Sequence, residues 1–371
     1  MLSFWEQQTF SGCDFAVVGA GIMGCSVAFE LRQKFPHAKI IVLERGTFPN
    51  GASTKNAGFM CFGSPTEILY DMDLMGEQQA VELVEQRYEG CQLLHERLGN
   101  DKMNVTVFGG YELILKELRS TLLKEDIQHL NEKLRPVFKF SVFSDVSEKI
   151  RMYGFSENVS QLLYCAPEMQ IDSGMTMLNY WKLLIENNIQ ILSGANVKNI
   201  TGNNIEIHSE MHGAFNFSAD KIILCTNAFI KELFPDETVL PGRGQVIITS
   251  EIDGLTLKGS FHFDEGFYYF RNVGNRVLFG GGRNLDFENE QTTDFTVNEK
   301  IVHELEMKLR GMILPGTPFE IEHTWQGIMG FSPDKRPVVK QLSDYTQYIM
   351  SCNGMGVALS PLIAKQAVNA L

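Results

Sequence analysis

The sequence predicts an α/β fold with an α+β insert, in which a nucleotide-binding domain is interleaved with an antiparallel-sheet domain. Three observations predict it. Residues 14–44 read as strand, glycine loop, helix and strand, and residues 242–282 read as a β-meander. Apolar strand segments then recur at 221–225 and 348–352, with no linker or low-complexity stretch to divide the chain. At 371 residues, 44% of them hydrophobic and 21% charged, the chain can bury the large core this arrangement needs.

Each element follows from local pattern. Residues 14–19 (DFAVVG) form a short, β-branched apolar run ending in glycine, a buried strand by length and composition. Residues 22–34 place Val27, Ala28 and Leu31 at helical spacing without a proline, and 39–44 (KIIVLE) form a second strand. In so short a space these make a βαβ unit with parallel strands. Residues 79–98 predict an amphipathic helix with Val81, Val84, Tyr88, Cys91 and Leu98 on one stripe. Strand and turn are expected at 104–116, and helices at 118–134 and 175–188. Short strands follow at 190–192, 197–200, 204–208 and 215–217, then a buried strand at 221–225. Residues 244–249 alternate in polarity, and 267–271 pairs with 276–279 across a turn at 273–275. A helix at 298–310, a strand at 348–352 and a helix after Gly354-Met355-Gly356 complete the chain.

Charge and composition exclude several classes. The net charge is −13 with no cluster of Lys and Arg, which disfavours a phosphate-backbone partner, so no nucleic acid is expected. No run approaches the roughly 18 apolar residues of a membrane span. Residues 1–15 hold acids and glutamines without a basic-then-apolar signal, which gives a cytoplasmic location as the expectation. The seven cysteines (13, 25, 61, 91, 165, 225 and 352) form no CxxC pair and read as reduced packing residues. His208 and His212 have a chelating spacing only on a helix, and residues 205–217 read as a hairpin, so no metal is expected.

The chemistry begins at Gly19-Ala20-Gly21-Ile22-Met23-Gly24, a G-x-G-x-x-G that follows a strand and opens a helix. Gly19 permits the tight turn, Gly21 lets the backbone approach a pyrophosphate, and Gly24 lets helix and strand pack closely. The helix N-terminus offers free N–H groups to the phosphates. Glu44, 20 residues after Gly24, closes the second strand, where its carboxylate accepts ribose hydroxyls and repels a 2′-phosphate. Arg45 and Gly46 lead into 51–58 (GASTKNAG), a second small-residue loop suited to a cofactor that extends beyond its adenine half. A flexible surface loop rich in turn formers has the same composition.

Five segments in order resemble the D-amino-acid oxidase/glycine oxidase/sarcosine oxidase (DAO) family of FAD-dependent oxidoreductases. They are 17–24 with Glu44, 53–58, 222–229 (IILCTNAF), 241–246 (PGRGQV), and Trp325-Gln326-Gly327 through Asp334 to Pro337 with 353–357. The resemblance implies a GR2-type Rossmann FAD-binding domain at 12–75, 150–235 and 325–371, and a substrate domain at 76–149 and 236–324. It places the glycine-loop residues Gly19, Gly21, Ile22, Met23 and Gly24 against FAD, with Glu44 and Arg45 beside them. Ser53, Thr54, Asn56, Ala57 and Gly58 would lie along the cofactor, and Val197 would offer backbone to the adenine. Thr226 and Asn227 would stand near the adenosine and phosphates. Gly354, Met355, Gly356 and Val357 would bring a helix N-terminus to the flavin C2 carbonyl, where reduction leaves negative charge.

The family's variations also bear on this chain. Members that attach FAD covalently carry a cysteine just after the stretch matching 325–330, where this chain has none, so FAD is expected to be non-covalent. A lysine that assists oxygen in some members is matched by Leu278, and a carboxylate-binding lysine by Ala358. Substrate contacts in the family come from arginine and tyrosine of the β-domain, since guanidinium matches carboxylate geometry. Tyr268, Tyr269, Arg271 and Arg283 stand in the corresponding hairpin, and His262 precedes it. Tyr269 and Arg271 are the expected carboxylate holders, with Lys55 expected at flavin N5 through water. Arg243 is a candidate for phosphate or substrate, and Trp325 and Met355 for apolar walls.

The expected activity is oxidation of the C–N bond of a small amine or amino acid, with electrons passing to O2 or another acceptor. A 2-hydroxy-acid or polyol dehydrogenase, an NAD(P) dehydrogenase and a non-catalytic flavin-binding protein remain alternatives.

Overall fold

The computed structural model describes residues 2–117, 122, 124–350 and 353–371. Two eight-stranded sheets, each with its own core, make up most of it. In the first, strands run in the order Val338–Gln341, Thr346–Met350, Gly213–Leu224, Gly12–Val18, Ile40–Glu44 and Gln190–Ser193. All but Val338–Gln341 are mutually parallel, with Val17 opposite Ile223 on one side and Val42 on the other. The central strands are apolar on both faces because both faces are covered. Helices Ile22–Lys34, Ser173–Glu186, Gly356–Asn369 and part of Glu77–Met103 cover one face; Ile205, Ile207, Phe217 and Ile230 pack on the other. Helix Ile22–Lys34 is buried over its first seven residues because it lies between sheet and helices, and Ser26 bonds Tyr180 across that packing at 2.9 Å.

The second sheet runs Ile321–Phe331, Leu240–Thr249, Arg276–Gly281, Tyr268–Val273, Ser260–Phe263, Gly110–Leu115, Val159–Cys165 and Phe143–Asp145. It is antiparallel except where Ser260–Phe263 meets Gly110–Leu115. Side chains alternate between its faces. Phe261, Phe263, Tyr268, Phe270 and Phe279 fill one face beneath helix Glu299–Lys308. His262, Tyr269 and Arg271 occupy the other, which is turned towards the first sheet's loops.

Several expectations shift. The segment boundaries at 150 and 325 do not match the sheets: Val159–Cys165 pairs with Gly110–Leu115, and Ile321–Phe331 pairs along its length with Leu240–Thr249. Local apolar pattern could not show which sheet would hold these strands. The expected strands at 215–217 and 221–225 are one strand, Gly213–Leu224. It pairs antiparallel with Asn204–Ser209, then parallel with Gly12–Val18, so Ser218 borders both. The helix expected at 118–134 spans Lys124–Phe138, and its expected start falls largely outside the described residues. Cys352, with the end of the last expected strand, also lies outside them. His208 sits in the hairpin of Asn204–Ser209 and Gly213–Leu224, and among the described residues no group of His, Cys, Asp and Glu could hold a metal ion.

Candidate cofactor and substrate site

A cleft holding about 1220 Å³ of space, open mouth included, lies where the first strand meets its helix. Gly19, at φ +103°, turns the chain there, and a Cβ on it would lie 2.7 Å from the Cys225 carbonyl oxygen. Gly24 lies under that turn, and a Cβ on it would lie 1.8 Å from the Gly19 carbonyl oxygen. At Gly21 a Cβ would meet Ser53 Oγ at 2.8 Å, and that hydroxyl accepts from Ile22 N at 2.9 Å. The two loops are therefore joined at the helix N-terminus, a site that favours anions.

Glu44 is buried at the cleft wall. Its Oε2 accepts from Ala20 N at 3.0 Å and its Oε1 from Gly46 N at 2.9 Å, so two amides fix the carboxylate. Arg45 lies over the Phe229 ring at 3.9 Å and pairs with Glu232 at the rim. Asn56 ties the second loop, donating to the Ala52 and Ser53 carbonyls and accepting from Gly58 N and Ser173 Oγ. Thr54 Oγ1 donates to Pro49 O at 2.6 Å. Asn227 Nδ2 donates to Ile328 O, and its Oδ1 accepts from Gly330 N, joining the cleft to the second sheet.

The expected cofactor residues divide accordingly. Gly19, Gly21, Ile22, Met23, Glu44, Arg45, Ser53, Asn56, Val197, Thr226, Asn227, Gly354, Gly356 and Val357 line the cleft. Gly24, Thr54, Ala57 and Gly58 stand behind that wall and shape the backbone. Met355 turns away, its sulfur 3.9 Å from Cys61 Sγ. The motifs missed Phe229, Met329 and Ser360, which also line the cleft. Phe229 lay within the matched stretch 222–229 and Met329 within the one running from Trp325 to Pro337, whereas Ser360 gave no local signal.

The substrate candidates scatter. Tyr268 stacks on Phe263 at 4.7 Å in the core, away from the cleft. Arg243 is buried against Glu290, with Nε to Oε2 at 3.0 Å and Nη2 to Oε1 at 2.6 Å, and does not line the cleft. Arg283 lies over the rings of Phe331 and Phe287. Arg271 is buried, with Nη1 donating to Gly58 O and Ile171 O at 2.7 Å each and to Ala57 O at 3.2 Å, while Nε donates to Asn272 O. Burial pulls its guanidinium down to about 10, partly offset by the charge of Asp172. These bonds make it a clamp on the second loop, because long-range packing brought carbonyls to it where the sequence suggested a carboxylate.

Tyr269 is half-buried, its ring over Gly280, where a Cβ would come within 2.6 Å of Cε2. Burial pushes its hydroxyl up to about 12, so it stays protonated. Phe59 packs edge-on to Tyr269 at 6.0 Å and to His262 at 5.0 Å. Trp325 Nε1 donates to Lys55 O at 3.0 Å, and Lys55 Nζ lies 5.5 Å from the Phe295 ring.

A glycine turn under a helix N-terminus and a fixed carboxylate at the second strand, with a β-sheet wall beside them, mark a dinucleotide-dependent enzyme. Residues 14–370 match the FAD dependent oxidoreductase (DAO) family, and the chain belongs to it. A probable oxidoreductase OrdL of Haemophilus influenzae is 23% identical, the match covering 96% of this chain and 82% of that protein. Glycine oxidase from Geobacillus kaustophilus shares the fold with a TM-score of 0.75 at 18% identity, over 97% of this chain and 95% of that one. L-proline dehydrogenase from P. horikoshii has a TM-score of 0.72 at 16% identity, over 97% and 93%.

The protein is thus an FAD-dependent oxidoreductase with a Rossmann-type cofactor domain. The cleft's own chemistry fits the group: Thr226 Oγ1 is buried in its wall with no hydrogen-bond partner among the described residues, as a site built around a polar ligand requires. Among the described residues no helix is long and apolar enough to cross a membrane.

Proposed function

We propose that the enzyme oxidises the C–N bond of a small amine or amino acid to an imine, which water hydrolyses, with electrons passing on to O2 or another acceptor. The observation that carries this reading is the meeting of two walls. Residues 53–59 border the cofactor cleft and, through Phe59 and Lys55, contact Tyr269 and Trp325 of the second sheet. A substrate held on that sheet face therefore lies beside the second cofactor loop. The named activities of the glycine oxidase and the L-proline dehydrogenase agree with an amino-acid substrate.

Bound FAD supplies the two-electron acceptor. The chain's residues do the rest. In this reading the lining residues from Gly19 to Asn227 hold the nucleotide half. Residues 354–357 present the N-terminus of helix Gly356–Asn369, whose dipole stabilises negative charge at the cleft. Tyr269, protonated, donates a hydrogen bond to the substrate. Lys55 and Arg283 are the candidate cations left for a carboxylate once Arg243 and Arg271 are committed elsewhere. The two segments of the second sheet act as the substrate domain, in a cytoplasmic enzyme.

Anaerobic bleaching of the purified yellow protein tests the proposal, using glycine, L-proline, methylamine, glycolate and lactate, followed by air. Bleaching by an amine with recovery in air supports an oxidase, and bleaching that persists in air supports a dehydrogenase. Bleaching by glycolate or lactate alone moves the reaction to C–OH, and bleaching by none overturns the assignment.

A further inference from the structure

A buried acid–base pair stands on the substrate face, and no part of the cofactor cleft uses it. His262 Nε2 faces Glu168 Oε2 at 3.5 Å, the side chains being 10% and 2% exposed. Neither atom has any other hydrogen-bond partner among the described residues, so each is left to the other. Gly110 makes the space: a Cβ there would lie 1.9 Å from Glu168 Oε2. Burying an acid–base pair is costly, so this one is a specific construction and not a filler of the core. His262 lies opposite Tyr269 in register, and Phe59 packs on both rings. Of the polar neighbours of His262, Tyr269 stays protonated, Arg271 donates to carbonyls, and the Glu112 carboxylate opposite is taken up by Ser64 Oγ and Thr66 N.

Resting on the amine-oxidation reading, we infer that His262, positioned by Glu168, takes the proton from the substrate's ammonium group before the C–H bond breaks. Glu168 holds the proton on Nε2 and leaves Nδ1 as the basic atom. The ammonium N–H bond breaks, an N–H bond forms at Nδ1, and the electron pair stays on the substrate nitrogen. The step moves one proton and no electrons. Only the neutral amine has the lone pair that stabilises a departing hydride's carbon.

Burial opposes charge on His262, but the hydrogen bond and charge of Glu168, then Glu67 and Glu112, outweigh it and raise the imidazole above the usual histidine range. Each facing element contributes. Glu67 comes from helix Pro65–Met75 and is paired with Arg87 at 3.1 Å. Glu112 comes from strand Gly110–Leu115, with burial pushing its carboxyl up against bonds from Thr66 and Ser64. Tyr269 comes from the neighbouring strand, and the thiols of Cys61 and Cys165 lie near Glu168 with burial holding them neutral. Raised basicity strengthens the base and also keeps it protonated at low pH. Bleaching should therefore speed up as pH rises through the His262 titration.

The test combines histidine NMR titration of the FAD-loaded protein with anaerobic bleaching by glycine and L-proline across pH, for wild type, H262N and E168Q. The NMR signal absent from H262N reports His262 directly and needs no turnover. Expected results are a His262 titration above the ordinary histidine range, an acid limb of bleaching that tracks it, and a move of both to lower pH in E168Q. H262N should bleach about 100-fold more slowly or worse, the scale of general-base loss. Wild-type bleaching rates and pH profile in flavin-loaded H262N would overturn the inference while the amine reading stands. If none of glycine, L-proline and methylamine bleaches the wild type, the amine reading fails and the inference with it.

Discussion

Arg271→Met separates two roles for one residue. The sequence suggested a carboxylate holder, whereas the structure shows Nη1 on three main-chain carbonyls. Methionine keeps the apolar stem and deletes the donors. Gly58 O retains Ile171 N at 2.8 Å, so it is not orphaned. Ile171 O and Ala57 O lose their donor inside the protein. At about 1–3 kcal/mol for each unsatisfied buried acceptor, the loss is roughly 2–6 kcal/mol. An unfolding entropy near 2.1 cal/mol/K per residue gives roughly 0.8 kcal/mol/K for this length, so the melting temperature should fall by about 3–8 °C. The 53–58 loop should loosen as well, and FAD should be released more readily. Differential scanning fluorimetry and flavin fluorescence measure both. A variant that melts and retains flavin like wild type, but binds glycine or L-proline more weakly, would show that Arg271 holds substrate and that the clamp argument is wrong.

Three further predictions concern the glycine loop and the buried ion pair. Gly24→Ala pushes a methyl into the Gly19 carbonyl and should cost about 1–3 kcal/mol and lower the flavin-to-protein absorbance ratio; an unchanged ratio and melting point would refute the contact. Gly21→Val displaces Ser53 from Ile22 N and crowds the cleft, so the protein should purify without yellow colour, and a fully yellow preparation would refute the placement of the cofactor. Burial raises the Glu290 carboxyl, but bonds from Arg243, Asn298 and Gln245 more than offset this and hold it below its ordinary value of 4.5. Its contribution is therefore complete above about pH 4.5 and is lost as pH falls through the lower folded value. Melting temperature measured from pH 6 to pH 3 should drop in that window, and Glu290→Gln should flatten the drop.

The sequence by itself determined the βαβ unit, because the period of apolar residues and the spacing of Gly19, Gly21, Gly24 and Glu44 are local properties. It determined the 268–273/276–281 hairpin for the same reason, since the turn and its flanking alternation are adjacent in the chain. Tertiary structure decided everything that depends on which distant groups meet. Arg243 stands between two glycines and Arg271 follows a run of aromatic residues, and neither setting names a partner, yet one found Glu290 and the other found main-chain carbonyls. Tyr268 and Tyr269 are neighbours, and strand alternation sent one into the core and the other to the cofactor-facing side. His262 and Glu168 lie far apart in the chain, and no local pattern couples them. Local signals specify backbone conformation through short-range sterics and periodicity. Partners of a charged or aromatic side chain are set by how sheets and loops pack, and that information is spread over the whole chain.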